Sequence, residues 1–396
     1  VNRNLALYPV YRGLRGLMFW LPVFFLYFQS VLDVADVLVL EALYYLGVVV
    51  AEVPSGYFSD RIGRRVTLLI AMGAWTAACW LFVLTSSFVP FAVAQLGLAV
   101  GMAFNSGTDS ALLYDSLKAL GREDEIAAFE SRAQAWGLAM LGVAAVVGGL
   151  LAGLDLRFAY ALSALSASLA FAVAWRFEEP TGTRALPPMR QLVAVAGRLR
   201  DPALRWLFLF VVAMTVFNHV PYELFQPWLE LLLNDDGSGY ARTPAVSGVV
   251  VGLSFALSAW ASTHAAAWGA RVGLRNGLFA VLGLQALVMA AMAAVVHPVV
   301  VLLILLRTVP TALTVPLMLS VVHPRIDSGQ RATYLSLQSL AGRLAFSLCL
   351  LATARTMGGL ESLNHSAMRA ILLTYLAGMA VVATGLWVIG RTTKFD

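Results

Sequence analysis

The 396-residue chain is 60% hydrophobic and 12% charged, with a formal net charge of +5. A soluble protein of this length could not cover its surface with so few polar groups, so the composition excludes one and points to a polytopic membrane protein. The positive balance is no nucleic-acid signal, because the bases sit in short connections between apolar runs; Cys79 and Cys349 lie inside such runs and offer no disulfide framework.

Twelve membrane spans are predicted at about 13–32, 38–59, 66–86, 89–113, 132–154, 157–177, 204–232, 245–269, 274–296, 298–322, 332–354 and 367–390. The first follows several bases but is long enough to cross and has no small-residue cleavage site, so it is read as a helix that stays. Its aromatics, Phe19, Trp20, Phe24, Phe25, Tyr27 and Phe28, are too many to face lipid together. Some are expected on an apolar cavity wall, with plain helix packing as the other reading. Of the 27 lysines and arginines, Arg157, Arg242, Arg355 and Arg369 fall on one side of the spans, Arg307 and Arg343 inside them, and the others on the opposite side. An excess of bases marks the cytoplasmic face, so both termini are expected there.

Between spans two and three stands Gly56 to Arg65, GYFSDRIGRR, a run too charged for lipid and therefore a tight turn at the membrane face. A plain positive-inside loop accounts for its arginines but not for the spacing of Gly56, Asp60, Arg61, Gly63 and Arg65, with Arg64 in the variable place. That spacing resembles the loop signature of the major facilitator superfamily, bacterial type. The resemblance implies an all-α membrane protein of the bacterial inner membrane. Its twelve transmembrane helices would form two pseudo-twofold-related six-helix bundles and move a solute by alternating access. It further implies that Asp60 rests against the amino end of a helix from the other half, at that helix's positive pole. Arg64 would pair with Asp115, in ALLYDSLKALGRED at the inner end of span four. Gly56, Asp60, Arg61, Gly63, Arg64, Arg65 and Asp115 are thus expected to form an inner gate; the other reading is a solvated charge cluster worth under about 1 kcal/mol.

Glu52 lies two turns deeper in span two and Arg343 some ten residues into span eleven, which a rise of about 1.5 Å per residue brings to similar depth. Those spans adjoin in the resembled fold, so a buried inter-bundle pair is expected, against the alternative that each charge satisfies only local groups. In span four, Gly101, Asn105, Thr108 and Asp109 fall on one helical face. The chain also departs from the family: Gly97 stands where many proton-coupled members carry an arginine. Ala144 and Ala145 precede Gly148 and Gly149 where drug antiporters show a glycine and a proline. Both departures weaken a drug-antiport assignment, while Gly149 and Gly153 keep a small-residue packing face.

Glu178 to Arg205, the longest polar connection, divides the chain into residues 1–177, a cytoplasmic linker 178–203 and residues 204–396. The linker's middle, PPMRQLVAVAGRLRD, reads as an amphipathic helix on the inner leaflet, with a disordered linker as the alternative. The halves repeat. HAAAWGARVGLR, His264 to Arg275, overlays PSGYFSDRIGRR, Pro54 to Arg65. Arg271, Gly273 and Arg275 answer Arg61, Gly63 and Arg65, while Ala266 and Ala270 replace Gly56 and Asp60. Tyr27 to Gln29, YFQ, likewise answers Leu224 to Gln226, LFQ.

In span seven FNHVPYELFQPWLE holds two prolines, so this span is expected to be kinked or unwound toward a water-filled site. His219, Tyr222, Glu223, Gln226 and Glu230 recur at helical steps as one polar stripe. An intramembrane charge needs a partner or a task. Glu223 is therefore the first candidate for a proton-binding carboxylate, His219 the second and Asp109 a third. A gating outer vestibule is the other reading of the stripe. In span ten Arg307 shares a face with Thr311 and Thr314 and is the expected partner of Glu223 or of an anionic substrate group.

The function expected is proton-coupled secondary transport of a small solute. Export of amphiphilic, drug-like compounds is preferred, and a metabolite importer or exporter is the alternative. A membrane enzyme would need a nucleophile with a base, or a metal cluster, at one face. The histidines, His219, His264, His297, His323 and His365, scatter over both faces, and no Gly-rich phosphate loop occurs, so no enzyme, metal or cofactor is expected. A non-transporting receptor on the same fold is the remaining alternative, against which the intramembrane charges argue. The partners expected are the solute, protons and the lipid bilayer, with no nucleic acid, and the chain is expected to act as a monomer.

Overall fold

The computed structural model describes residues 2–180, 197–233, 239–326 and 328–393. Their regular structure is helical: α1 Asn2–Gly16, α2 Phe24–Gln29, α3 Val34–Ile62, α4 Arg64–Leu84, α5 Phe88–Asn105, α6 Thr108–Lys118, α7 Ile126–Ala152, α8 Leu156–Trp175, α9 Pro202–Leu233, α10 Gly239–Val272, α11 Leu274–Ala294, α12 Pro298–Ile304, α13 Val309–Arg325, α14 Ser328–Thr356 and α15 His365–Gly390. Among these residues eleven stretches are long and apolar enough to cross a membrane, α5 with α6 and α12 with α13 each counting as one. The twelfth is the first span, α1 with α2, whose irregular middle leaves each piece too short alone. Its helix begins at Asn2, well before the predicted start, because polar groups here find internal partners. The Asn4 amide donates to Ser116 Oγ and to the Glu178 carbonyl, both at 2.8 Å.

Two of the spans break beside a proline that removes a backbone donor. Pro22 cannot donate to the Met18 carbonyl, which takes Leu21 N–H at 3.2 Å instead, and the helix is interrupted between Gly16 and Phe24. Pro310 does the same in span ten: the Leu306 carbonyl takes Val309 N–H at 3.0 Å, and the chain turns through 305–308. Span four breaks at Gly107, whose φ of 72° is open to glycine, within the turn-forming sequence Asn105–Thr108. The predicted single polar face of span four is therefore divided between two helices.

Span seven, expected to be kinked or unwound, is not unwound. α9 runs unbroken through Pro221 and Pro227. Pro221 leaves the Phe217 carbonyl without its helical donor, and Gln285 Nε2 of α11 supplies one at 3.0 Å.

The helices divide into two compact units. One comprises residues 1–188 with 241–252, the other residues 189–240 with 253–396. The division falls inside the predicted linker, except that the start of α10 belongs with the first unit. There Ser247 Oγ donates to the Pro22 carbonyl at 2.5 Å, and a Cβ on Gly149 would collide with the Pro244 carbonyl. Residues 187–196 of the predicted amphipathic linker helix lie outside the described residues. The aromatics of span one pack into the first unit's core. Phe24, Tyr27 and Phe28 are buried, and Tyr27 and Phe28 stand 4.9–6.2 Å from Phe91 and Tyr160 by ring centroid. Helix packing, the second reading, accounts for Phe24, Phe25, Tyr27 and Phe28, while Phe19 and Trp20 are half-buried.

Candidate functional site

In the first unit the polar loop between α3 and α4 gathers its charges around Arg64. Nη1 donates to Asp60 Oδ1 at 2.6 Å and to Ser59 Oγ at 2.7 Å, while Nε reaches Asp115 Oδ2 at 3.3 Å. Asp60 and Asp115 stay 31% and 18% exposed, so water screens this cluster and its rearrangement is cheap. Arg61 turns away onto Tyr57, and a Cβ on Gly56 would meet open space.

Gly63 has a physical reason to be glycine. Its φ of 117° and ψ of 154° suit no side chain, and a Cβ would stand 2.7 Å from the Glu179 carboxyl carbon. That carboxylate caps α4, accepting Arg64 N–H at 2.6 Å and Arg65 N–H at 2.8 Å. Arg65 Nη2 then donates to the Trp175 carbonyl at 2.7 Å, tying the loop to the end of α8. In the second unit Gly273 has φ 80°, and Arg275 Nη2 approaches the Trp387 carbonyl at 3.5 Å. The repeated motif thus makes the same kind of tie in each unit, strong in the first and weak in the second.

Asp109, at the start of α6, is buried and accepts from two arginines of α1: Arg12 Nη1 at 2.6 Å and Arg15 Nη1 at 3.3 Å. Beside it Asn105 and the Tyr11 hydroxyl are 2.5 Å apart, and Glu130 of α7 accepts from the Tyr8 and Ser110 hydroxyls, both at 2.9 Å. Asp109 thus joins α1 to α6 through two ion pairs, and its candidacy as a proton carrier stays a proposal. Sequence reasoning missed Arg12, Arg15, Tyr8, Tyr11 and Glu130 because it placed α1 largely outside the first span. The signal was there in the three- and four-residue spacing of Tyr8, Tyr11, Arg12 and Arg15.

In the second unit Glu223 and Gln226 are buried, and Tyr222 meets His219 edge to face at 6.1 Å. His219 Nδ1 lies 2.6 Å from the Thr215 carbonyl, to which it donates, and Asn218 Nδ2 donates to Thr311 Oγ1 at 3.0 Å. Arg307, in the break of span ten, is also buried, but it does not pair with Glu223. Its Nη1 donates to Ser254 Oγ at 2.5 Å and to the Ile304 carbonyl at 3.1 Å, and its guanidinium carbon lies 4.0 Å from the centre of the Phe225 ring. Gln29 ends α2 in the first unit, and Gln226 sits in α9 of the second. Glu52 and Arg343 fall in different units, so their pairing stays a proposal.

One more intramembrane acid was passed over. Glu41 of α3 is buried and accepts Gln95 Nε2 of α5 at 2.9 Å, with no base in ion-pair reach among the described residues. An acid inside an apolar 19-residue stretch was signal enough to find it.

The sequence matches the model of the Major Facilitator Superfamily over residues 11–350. No curated protein matches it. Among solved structures it is similar to the nucleoside transporter NupG, at a TM-score of 0.80 and 13% identity, over 99% of this chain and 100% of that one. A bacterial homologue of the human lysosomal transporter Spinster, inward-facing and occupied, gives 0.72 at 13% identity over 98% and 96% of the two chains. A D-xylose–proton symporter gives 0.66 at 15% identity over 94% and 96%. At such identities the likeness speaks for the fold.

Proposed function

The chain belongs to the major facilitator superfamily, a transporter rather than an enzyme, and on that premise we propose that it moves a small polar solute by alternating access, coupled to protons. The observation that carries this reading is Glu41, a carboxyl buried within an apolar span and met by the neutral Gln95 amide, where Asp109 is met by two arginines; Glu223 is buried likewise in the second unit. An acid kept at membrane depth beside a neutral amide fits a group that takes up and releases a proton. Of the span-one aromatics that an export cavity would use, Phe24, Phe25, Tyr27 and Phe28 are committed to the core, which favours the metabolite reading. We place the Gly56–Arg65 loop at the cytoplasmic face of an inner membrane, supported by the distribution of bases. There the Asp60, Arg64 and Asp115 cluster acts as the inner gate.

The test is a proteoliposome assay with an imposed pH gradient and a panel of labelled metabolites. Solute-driven proton movement is expected in the wild type and lost in Glu223→Gln or in Glu41→Gln. Each substitution keeps a side chain of the same shape. If both variants drive protons like the wild type, the carboxylate assignment is wrong.

A further inference from the structure

We propose that Arg307 is the substrate's charge receptor, and that the solute carries a carboxylate or phosphate group held side-on by this guanidinium. The inference rests on the transport reading above and names its substrate class. Arg307 is 3% exposed, so its charge is almost wholly removed from water. Three features fix it in place. Ser254 and the Ile304 carbonyl occupy Nη1, the Phe225 ring covers one face, and Thr308 Oγ1, bonded to the Ser254 carbonyl at 3.1 Å and to Ser258 Oγ at 2.7 Å, braces the wall behind Ser254.

What is left over is the opposite edge. Nε is buried, and among the described residues neither Nε nor Nη2 meets an acceptor. In a guanidinium these two donors point the same way and form the fork that matches the two oxygens of a carboxylate or phosphate. A buried, immobilised arginine whose fork is empty is costly to the fold. The cost is understandable when an anion arrives from outside to fill it. The site lies where Pro310 breaks span ten, so the backbone around it is already irregular. Such interruptions are tolerated at membrane depth only in protein or around a solute path.

Lysine cannot replace this group, because an ammonium has no planar fork and could not hold the Phe225 face in the same way. The proposal is therefore tested with membrane vesicles bearing the full chain under an imposed pH gradient. They are offered two labelled pairs, glucose with glucuronate and glycerol with glycerol 3-phosphate. The charged member of a pair is expected to move and its neutral partner not, with a loss of about tenfold in Arg307→Lys and more in Arg307→Gln. Which pair responds separates carboxylate from phosphate. A neutral member carried as fast as its anion, or an anion carried normally by Arg307→Gln, overturns the proposal and leaves the transport reading standing. An anion flux that needs Arg307 but ignores the pH gradient supports this site and overturns proton coupling instead. If no member of either pair moves, the unfolding temperature of the ligand-free protein decides. A waiting receptor makes Arg307→Gln at least as stable as the wild type, whereas a drop of more than about 5 °C assigns the guanidinium to the fold and overturns the proposal.

Discussion

Gly63→Ala tests whether the repeated loop motif is conserved in shape for a local steric reason. The alanine meets two penalties. Its φ of 117° with ψ of 154° is territory that a side chain enters at a cost of about 1–3 kcal/mol. Its methyl also lands 2.7 Å from Glu179 Cδ and 2.8 Å from both oxygens, so the carboxylate must leave the amino end of α4. Losing that cap costs about 0.5–2 kcal/mol. The second unit provides an internal control. Gly273 has φ 80° and ψ 152°, yet nothing lies within 4 Å of its would-be Cβ. Gly273→Ala therefore meets the backbone term alone, and Gly63→Ala should be worse by roughly the value of the cap, about 1 kcal/mol. Tryptophan fluorescence during denaturant unfolding in detergent reads both variants on one scale. The Glu179→Ala change separates the terms further: added to Gly63→Ala it should cost almost nothing, because the carboxylate has already been displaced. Equal losses at the two glycines, or a full additional loss from Glu179→Ala, would refute the steric account.

Asp109→Asn leaves Arg12 and Arg15 facing each other without their acid, and a stability loss of about 3–5 kcal/mol is expected in the same unfolding experiment, partly recovered by adding Arg12→Gln. Asp60→Asn and Asp115→Asn should each cost under about 1 kcal/mol in stability. Both should nevertheless raise thiol labelling of cysteines introduced on the cytoplasmic side; unchanged labelling would deny the cluster a gating role. Gln285→Leu strips the Phe217 carbonyl of its donor and should cost about 1–3 kcal/mol. Pro221→Ala, which returns an N–H to that carbonyl, should relieve most of the loss; failure to do so in thermal unfolding would show that the glutamine serves some other group.

The spans were legible because each is an apolar run longer than a bilayer needs, and no tertiary detail overrides that requirement. Their interruptions were not. Pro22, Pro221 and Pro310 each remove a donor in the same way, yet α9 continues through Pro221, where Gln285, 64 residues further along the chain, supplies the Phe217 carbonyl with a replacement donor. Nothing local to FNHVPYELFQPWLE distinguishes it from the sequences that break. In the loop, Asp60 and Arg64 were readable as a four-residue helical step, and Asp115 through the motif. Glu179 was not, since a cap supplied from 115 residues away leaves no mark beside the helix it caps. The aromatics of span one show the opposite failure: a pattern was visible, but composition alone does not say whether rings face a cavity or one another.

The ionised groups of this protein separate by how completely their own unit satisfies them, and the separation bears on what each can do. Asp109 has two arginines, so moving it would break two buried ion pairs at once. It suits a joint between helices and not a moving part. In the Asp60, Arg64 and Asp115 cluster both acids keep some contact with water, 31% and 18% exposed against 4% for Asp109, so their contacts exchange for hydration at less cost, which is what a gate that must open repeatedly requires. Arg307 is as buried as Asp109, but among the described residues it holds only neutral groups, and the Nε edge meets no acceptor. A charge in that condition raises the energy of the empty protein and lowers it when an anion binds. The same energy that destabilises the resting fold is then available as binding energy. Fixing Arg307 with a permanent acid by Ser254→Asp, at the position whose hydroxyl already accepts from Nη1, should stabilise the protein while abolishing anion transport. If that variant gains no stability, the guanidinium is not short of a counter-charge and the argument fails at its first step.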